Sequence, residues 1–476
     1  MNKRQGVMKQ FLFIMMGLFF FLTLEVPCSM AGGKKDPVFD SAGGNKTTKI
    51  GGWQGINPLN LETACKIAVA DNPSIAAAKA RVSQAIEHLA QAKSFWWPRI
   101  DLNGSASRLS YSDNEYAKSL QTARFFDPLV KTDDSEDIYL GNAVAQWTVF
   151  NGFKRWFATV AARHGAEENK EALMDIKRLV AAAVGLSYHN GQLAREKVKI
   201  AKEDELFNRR QIKEAEARYR VGTGSLSDVL NFKVQVNSAR SSSISFKLEY
   251  EIAMHALAVL LGIPEAKFPL DFGLASLVPE TADDMVLPEI EPLIAHAMEH
   301  RPDILQGNLS VKRGKSGVGV ARADFFPILV FSGSIDGKRI DNPHFEEDDF
   351  GSSIGLNLKY NLFEGGLTMA KVREAEQKHK EAIKNLEDTK NTVASEVRKA
   401  LARLKAVQDE LRLQRQNARL VKKNRELVEK GYQAGQSSLV RLNEAQRNFN
   451  TAMGRLALAR VNLCQAWHDL KIKTAE

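Results

Sequence analysis

No proline interrupts the chain between Pro128 and Pro264, and none follows Pro343. Proline breaks a helix by removing an amide donor and by clashing with the preceding turn, so gaps this long leave room for very long helices. Between the gaps, Gly262 to Pro292 holds five prolines and reads as a linker.

The stretches on either side of the linker match. Asn72-Pro73 lies 25 residues before Trp97-Pro98, and Arg301-Pro302 lies 25 before Phe326-Pro327. "WTVFNG" at 147–152 answers "YNLFEG" at 360–365, and 69 residues separate Phe150 from Tyr219 and Phe363 from Tyr432. These shared spacings indicate a tandem duplication. Only the segment between the proline and the "FNG/FEG" turn differs, by 16 residues, and that extra length is expected to be a loop. The expected organisation is a leader over 1–31, a polar segment over 32–60, a first repeat over 61–261 (helix, two strands, long helical hairpin), a linker over 262–290 and a second repeat over 291–476.

After each proline the pattern turns to period two. Ile100, Leu102, Gly104 and Ala106 alternate with Asp101, Asn103 and Ser105, while Leu329, Phe331, Gly333 and Ile335 alternate with Val330, Ser332 and Ser334. The return strands keep that parity: Ala143, Ala145, Trp147 and Val149 map onto Leu356, Leu358, Tyr360 and Leu362. One apolar and one polar face is the mark of a strand, and a soluble sandwich shares it. Strands of about ten residues also cross a bilayer when tilted. Aromatics gather at one end, among them Trp96, Trp97, Trp147, Phe325, Phe326 and Tyr360, as a membrane-interface girdle requires. Four strands are too few to close a barrel, so spanning strands imply an oligomer.

The rest is helical. Val393, Val397, Ala400, Leu404, Val407 and Leu411 step by 4, 3, 4, 3, 4, a coiled-coil seam. A filamentous coiled coil shares this pattern but has no use for the strands. Gly222–Ser225 and Gly435–Ser438 read as tight turns between helices, with Ser225 and Asp228 spaced as a capping box.

Composition excludes several classes. With 44% hydrophobic and 26% charged residues, only Phe11 to Val26 is apolar enough to enter a bilayer as a helix, so a polytopic helical membrane protein is ruled out. Lys3, Arg4 and Lys9 before that run, and Ser29-Met30-Ala31 after it, make it a secretory leader. Cys28 follows a proline where lipoprotein signals carry a small residue, which argues against lipidation. Cleavage leaves Cys65 and Cys464, expected near the same height in the molecule; buried free thiols are the expectation, a bridge the alternative. The net charge of +9 is interleaved with 57 acidic residues, which points to solvated helix faces and not to nucleic acid. No metal or cofactor site is expected: His296 and His300 are i, i+4 without a third ligand, and Gly314, Gly317 and Gly319 follow no strand, so they suit close helix packing better than a nucleotide loop.

In order and duplicated spacing, "NPSIAAAKARVSQA", "WWPRI", "QWTVFNG" and "YRVGTGSLSDVLN", with "RPDILQG", "FFPIL", "KYNLFEGG" and "YQAGQSSLVRLNEAQ", resemble the TolC family of outer-membrane channel-tunnels over nearly all of the mature chain. The resemblance implies a mainly α fold with a membrane β-barrel portion: a homotrimer with a 12-stranded barrel in outer-membrane lipid and a long α-helical tunnel across the periplasm of a Gram-negative bacterium. It implies a passive duct without catalysis, serving type I protein secretion or multidrug efflux, with a periplasmic adaptor (membrane fusion) protein and an inner-membrane ABC or proton-driven transporter. A pore-less periplasmic coiled-coil structural or adaptor protein is the alternative. Missing lipobox chemistry leans toward the secretion type.

The family's periplasmic gate maps onto Tyr432 and Asp228, and its aperture onto Arg441 and Glu444, with Asp228 and Asn231 as their duplicated partners. Arg441 reverses the family's acidic charge, and Ser437 replaces an arginine of the family's latch. The adaptor-docking tips would be Gly222, Gly224, Ser225 and Leu226 with Gly435, Ser438 and Leu439.

Overall fold

The computed structural model describes residues 57–126, 133–269 and 272–475. The leader, Cys28 and the polar segment up to residue 56 lie outside the described residues. The first half runs α1 (Leu61–Asp71), α2 (Pro73–Ser94), β1 (Arg99–Ser110), α3 (Asp113–Phe126), β2 (Ser135–Asn151), α4 (Lys154–Arg220) and α5 (Leu226–Leu260). The second runs α6 (Ile290–His300), α7 (Pro302–Arg322), β3 (Ile328–Ile340), β4 (Phe350–Lys359), α8 (Leu367–Gln433) and α9 (Leu439–Thr474). Helix α3 corrects the expectation of a loop: the extra length of the first half carries four helical turns, and none of their residues is buried.

Both long helices, α4 and α8, have 67 residues, roughly 100 Å at 1.5 Å per residue. Each folds back on its partner, α4 with α5 and α8 with α9. Helix α7 packs against both α4 and α8, which joins the two halves. The expected seam is buried throughout: Val393, Val397, Ala400, Leu404, Val407 and Leu411 form one core with Leu293, Ala297 and Ile304 and with Leu456, Leu463 and Leu470 of α9. Gly319 lets Phe157 of α4 approach, since a Cβ there would lie 2.3 Å from its ring, and Gly314 faces His379 of α8; Gly317 has open space beside it and is no packing glycine.

The linker contributes to this middle region. Leu59 and Leu274 form a parallel bridge, Tyr188 donates to the Leu59 carbonyl at 3.0 Å, and Trp467 donates to Asp284 O at 2.9 Å. Cys65 and Cys464 are free thiols, part-buried, and burial pushes both above the usual thiol range. His296 and His300 stack at 4.2 Å, and His296 Nδ1 lies 2.9 Å from the Thr474 carbonyl oxygen, which ties α6 to the end of α9.

The four strands form one antiparallel sheet in the order β1-β2-β3-β4. Two hairpins, one per half, thus meet along β2 and β3. Register keeps like faces together: Leu102 pairs with Ala143 and Ala143 with Ile335, while Asn103 pairs with Asn142 and Asn142 with Asp336. A bulge between Thr148 and Phe150 sets Phe150 opposite Leu329. Strand β4 ends at Lys359, so Tyr360 and Leu362 belong to the following turn and not to the strand as the repeat suggested. They lie in the connection that leads to the turn at 365–366, where Gly365 and Gly366 have positive φ.

Candidate functional site: the sheet and the helical tips

The sheet buries neither of its faces. Leu102 is 86% and Leu358 68% exposed, and Ile100, Ile354 and Leu356 are exposed beside them on the same face. A sandwich would cover this apolar face with a second layer; here none of the described residues does so, which removes the soluble-sandwich reading. The other face is polar, with Asn103 donating to Asn142 at 2.8 Å and the Ser334 and Ser353 hydroxyls 2.9 Å apart. Among the described residues no helix is long and apolar enough to cross a membrane.

The aromatics expected at the interface gather where strands meet helices. Trp96 and Trp97 precede β1, Phe325 and Phe326 precede β3, and Tyr360 follows β4; all five are exposed. Trp147 is partly covered and donates to Trp96 O at 3.0 Å. Arg155 of α4 anchors this belt: its guanidinium sits 4.7 Å from the Trp96 ring and donates to Phe95 O and Val149 O. A second aromatic group, Phe345 and Phe350 at 5.5 Å, closes the opposite end of β3 and β4. Sequence reading missed it because Phe345 lies in the connection and Phe350 opens β4, both outside the alternating runs.

At the other end of the long helices the two repeats converge. Phe207 and Ala215 of α4, Val229 and Phe232 of α5, Val428 and Tyr432 of α8, and Leu442 and Ala445 of α9 share one core. Both turns reverse through a glycine at positive φ, Gly222 (76°) and Gly435 (77°), a conformation that costs other residues a Cβ clash. Ser225 caps α5 by accepting from Ser227 N at 3.1 Å, and Ser438 caps α9 by accepting from Arg441 N at 3.3 Å. The expected Ser225–Asp228 capping box gives way to a longer-range bond. Tyr432 Oη donates to Asp228 Oδ2 at 3.0 Å, across 204 residues of sequence.

Burial and the neighbouring Asp228 carboxylate push the Tyr432 phenol up to about 12. The hydroxyl therefore stays protonated and donating across the physiological range. Asn231, the repeat equivalent of Glu444, accepts from Asn443 at 2.7 Å. Arg441 and Glu444 are exposed on one side of α9. Of the tip leucines, Leu226 is exposed, whereas Leu439 is partly covered and packs on the tip core; Val440 is the exposed apolar residue of that turn.

Sequence reading missed Arg218. Its guanidinium lies 5.1 Å from the Tyr432 ring, and it donates to Tyr432 O at 3.2 Å and Gln433 O at 3.0 Å. The repeat offset does pick the position out: Arg218 stands where the second repeat has Gly431, one residue before the matched tyrosines.

With sheet and tips described, comparison with known proteins is decisive. The outer membrane efflux protein family matches residues 65–263 and 293–472. The chain belongs to that family. Among curated relatives it is 23% identical to the alkaline protease secretion protein AprF of Pseudomonas aeruginosa, over 76% of this chain and 75% of that one. It is 22% identical to the cation efflux system protein CusC of Escherichia coli, over 89% and 88% of the two chains. The solved Campylobacter jejuni CmeC outer membrane channel superposes with a TM-score of 0.73 at 19% identity, covering 89% of this chain and 87% of that one. An outer membrane efflux protein is an export channel of the Gram-negative outer membrane, so the chain is an outer-membrane channel of a tripartite export system and not a pore-less coiled coil.

Proposed function

We propose that three copies of this chain close a 12-stranded barrel, and that the joined helices form a passive duct gated at the tips. The observation carrying the reading is the sheet: four strands, apolar on one exposed face, with β1 and β4 as open edges. An open edge in hydrocarbon leaves backbone groups unpaired at several kcal/mol each, and pairing β4 of one copy with β1 of the next removes it. Three such sheets give the strand count of a stable barrel with a polar, water-filled lumen.

In this reading Trp96, Trp97, Trp147, Phe325, Phe326 and Tyr360 sit at the inner lipid boundary. Tyr432 and Asp228 hold the tips together, and Arg441, Glu444 and Asn231 stand near the aperture. The two turns, with Leu226 and Val440 exposed, receive a periplasmic adaptor, and an inner-membrane transporter supplies the energy. The chain performs no chemistry of its own. Relatives named for alkaline protease secretion and cation efflux support either kind of cargo.

Cross-linking of detergent-extracted protein tests the assembly. Trimers are expected, and a monodisperse monomer would overturn the shared barrel. In planar bilayers the wild type should conduct weakly. Tyr432→Phe combined with Asp228→Ala should raise conductance, and unchanged conductance removes the pair from the gate.

A further inference from the structure

The geometry points to Arg218 as the positioning residue of the latch: it clamps the end of α8 from the first repeat and holds the Tyr432 hydroxyl on Asp228. This deepens the gated-duct reading and rests on it.

Three contacts converge on one side chain. The guanidinium stacks over the Tyr432 ring, a cation–π contact in a part-buried setting. It donates to the carbonyls of Tyr432 and Gln433, the last two residues of α8. Carbonyls in the last turn of a helix lack intrahelical partners and carry the negative end of the helix dipole. Arg218 thus caps the C-terminus of α8 from a helix more than 200 residues away in sequence. The planar fork of N–H donors reaches both carbonyls in one fixed geometry, which the compact, freely rotating ammonium of a lysine does not preorganise. With ring and backbone held, the Tyr432 hydroxyl is left facing Asp228 at the start of α5.

The first turn leaves room for a side chain at this position. A Cβ at Gly224 would lie 2.8 Å from the Arg218 Cβ, so the first turn keeps its small residue under the arginine. At the equivalent place in the second repeat the sizes are exchanged: position 431 is glycine, and a Cβ there would lie 2.7 Å from Ser437 Oγ. Each turn has room for one side chain at this spot. Because only Arg218 is long and charged, just one of two equivalent positions makes a clamp. The matched tyrosines differ accordingly, with Tyr432 7% and Tyr219 48% exposed. Parting the α4–α5 tip from the α8–α9 tip requires breaking Arg218 from α8 together with Tyr432 from Asp228.

Single-channel recording of the purified full-length protein in planar bilayers tests this, with thermal unfolding in parallel. Arg218→Gln should raise open probability about tenfold, as expected for losing hydrogen bonds from a charged donor. Arg218→Lys should fall between wild type and Arg218→Gln. Arg218→Gln added to Tyr432→Phe should give less than the product of the two effects, since both act on one latch. Arg218→Gln that lowers the unfolding temperature but gates like wild type overturns the assignment and leaves a helix cap only. So does a fully multiplicative double variant. If neither wild type nor Tyr432→Phe conducts at all, the duct reading fails, and the latch with it.

Discussion

The two repeats run through the same elements, yet they enter their second helix differently. In the first, Asn72 caps α2 by accepting from Ser74 N at 2.8 Å and donates to Leu260 O at 2.8 Å, two neutral bonds. In the second, Arg301 fills that place. Its side chain is 3% exposed and donates to Asp303 at 2.6 Å and Glu396 at 2.8 Å, while Lys473 also reaches Glu396 at 3.1 Å. Lengths agree and chemistry does not: both long helices must reach from one sheet to one set of tips, which fixes 67 residues, whereas a junction needs only that its buried polar groups be satisfied.

The largest expected effect breaks the charged junction. Arg301→Met leaves Asp303 and Glu396 beside a buried apolar site and should cost about 3 kcal/mol, against about 1–2 kcal/mol for Asn72→Ala. Equal losses in thermal or denaturant unfolding would show that the two junctions are energetically alike.

Acidity sharpens the same contrast. Burial alone would raise Asp303 and Glu396, but the hydrogen bonds and charge of Arg301, joined at Glu396 by those of Lys473, outweigh it and leave both below their usual values. Carboxyls lowered on folding stabilise above their unfolded values, about 4, and that contribution is lost as pH falls through the folded ones. In Arg301→Met the carboxyls keep their burial but lose the arginine. Their folded values then rise, and their protonation on acidification relieves the folded state. The stability gap between wild type and variant should therefore narrow from pH 6 to pH 3; a constant gap would place the loss in packing.

Next comes the corner between strand and long helix. Gly152 and Gly365 both have positive φ, but a Cβ at Gly152 would lie 2.4 Å from Ala323 O, whereas Gly365 has open space around it. Gly152→Ala should cost about 2–3 kcal/mol and Gly365→Ala about 1 kcal/mol, the latter from backbone strain alone. A reversed order in unfolding experiments would show that the corners are packed otherwise.

The smallest effect belongs to the segment that only the first repeat has. Phe125 and Phe126 at the end of α3 are almost fully exposed, and replacing both with serine should change stability by no more than about 0.5 kcal/mol. A larger loss would give α3 a packing role that its exposure does not suggest.

What was legible in the sequence was periodic. Alternation at 100–106 and 329–335, the 4-3 stepping from Val393 to Leu411, and two proline-free stretches each specify local geometry, because neighbours at i+2 or at i+3 and i+4 share a face whatever lies across from it. The offset between repeats carried the equal helix lengths and the matched turns. Tertiary structure alone decided which groups meet across that offset. Asn231 faces Asn443, Leu439 turns onto the core while Val440 faces out, and the segment after β1 coils into α3. It also placed Arg218 on Tyr432, 214 residues away, since the contact depends on how two separately coiled hairpins lie side by side. No periodicity within either hairpin encodes that alignment; it is set by the buried core at 207–232 and 428–445, where both repeats pack as one.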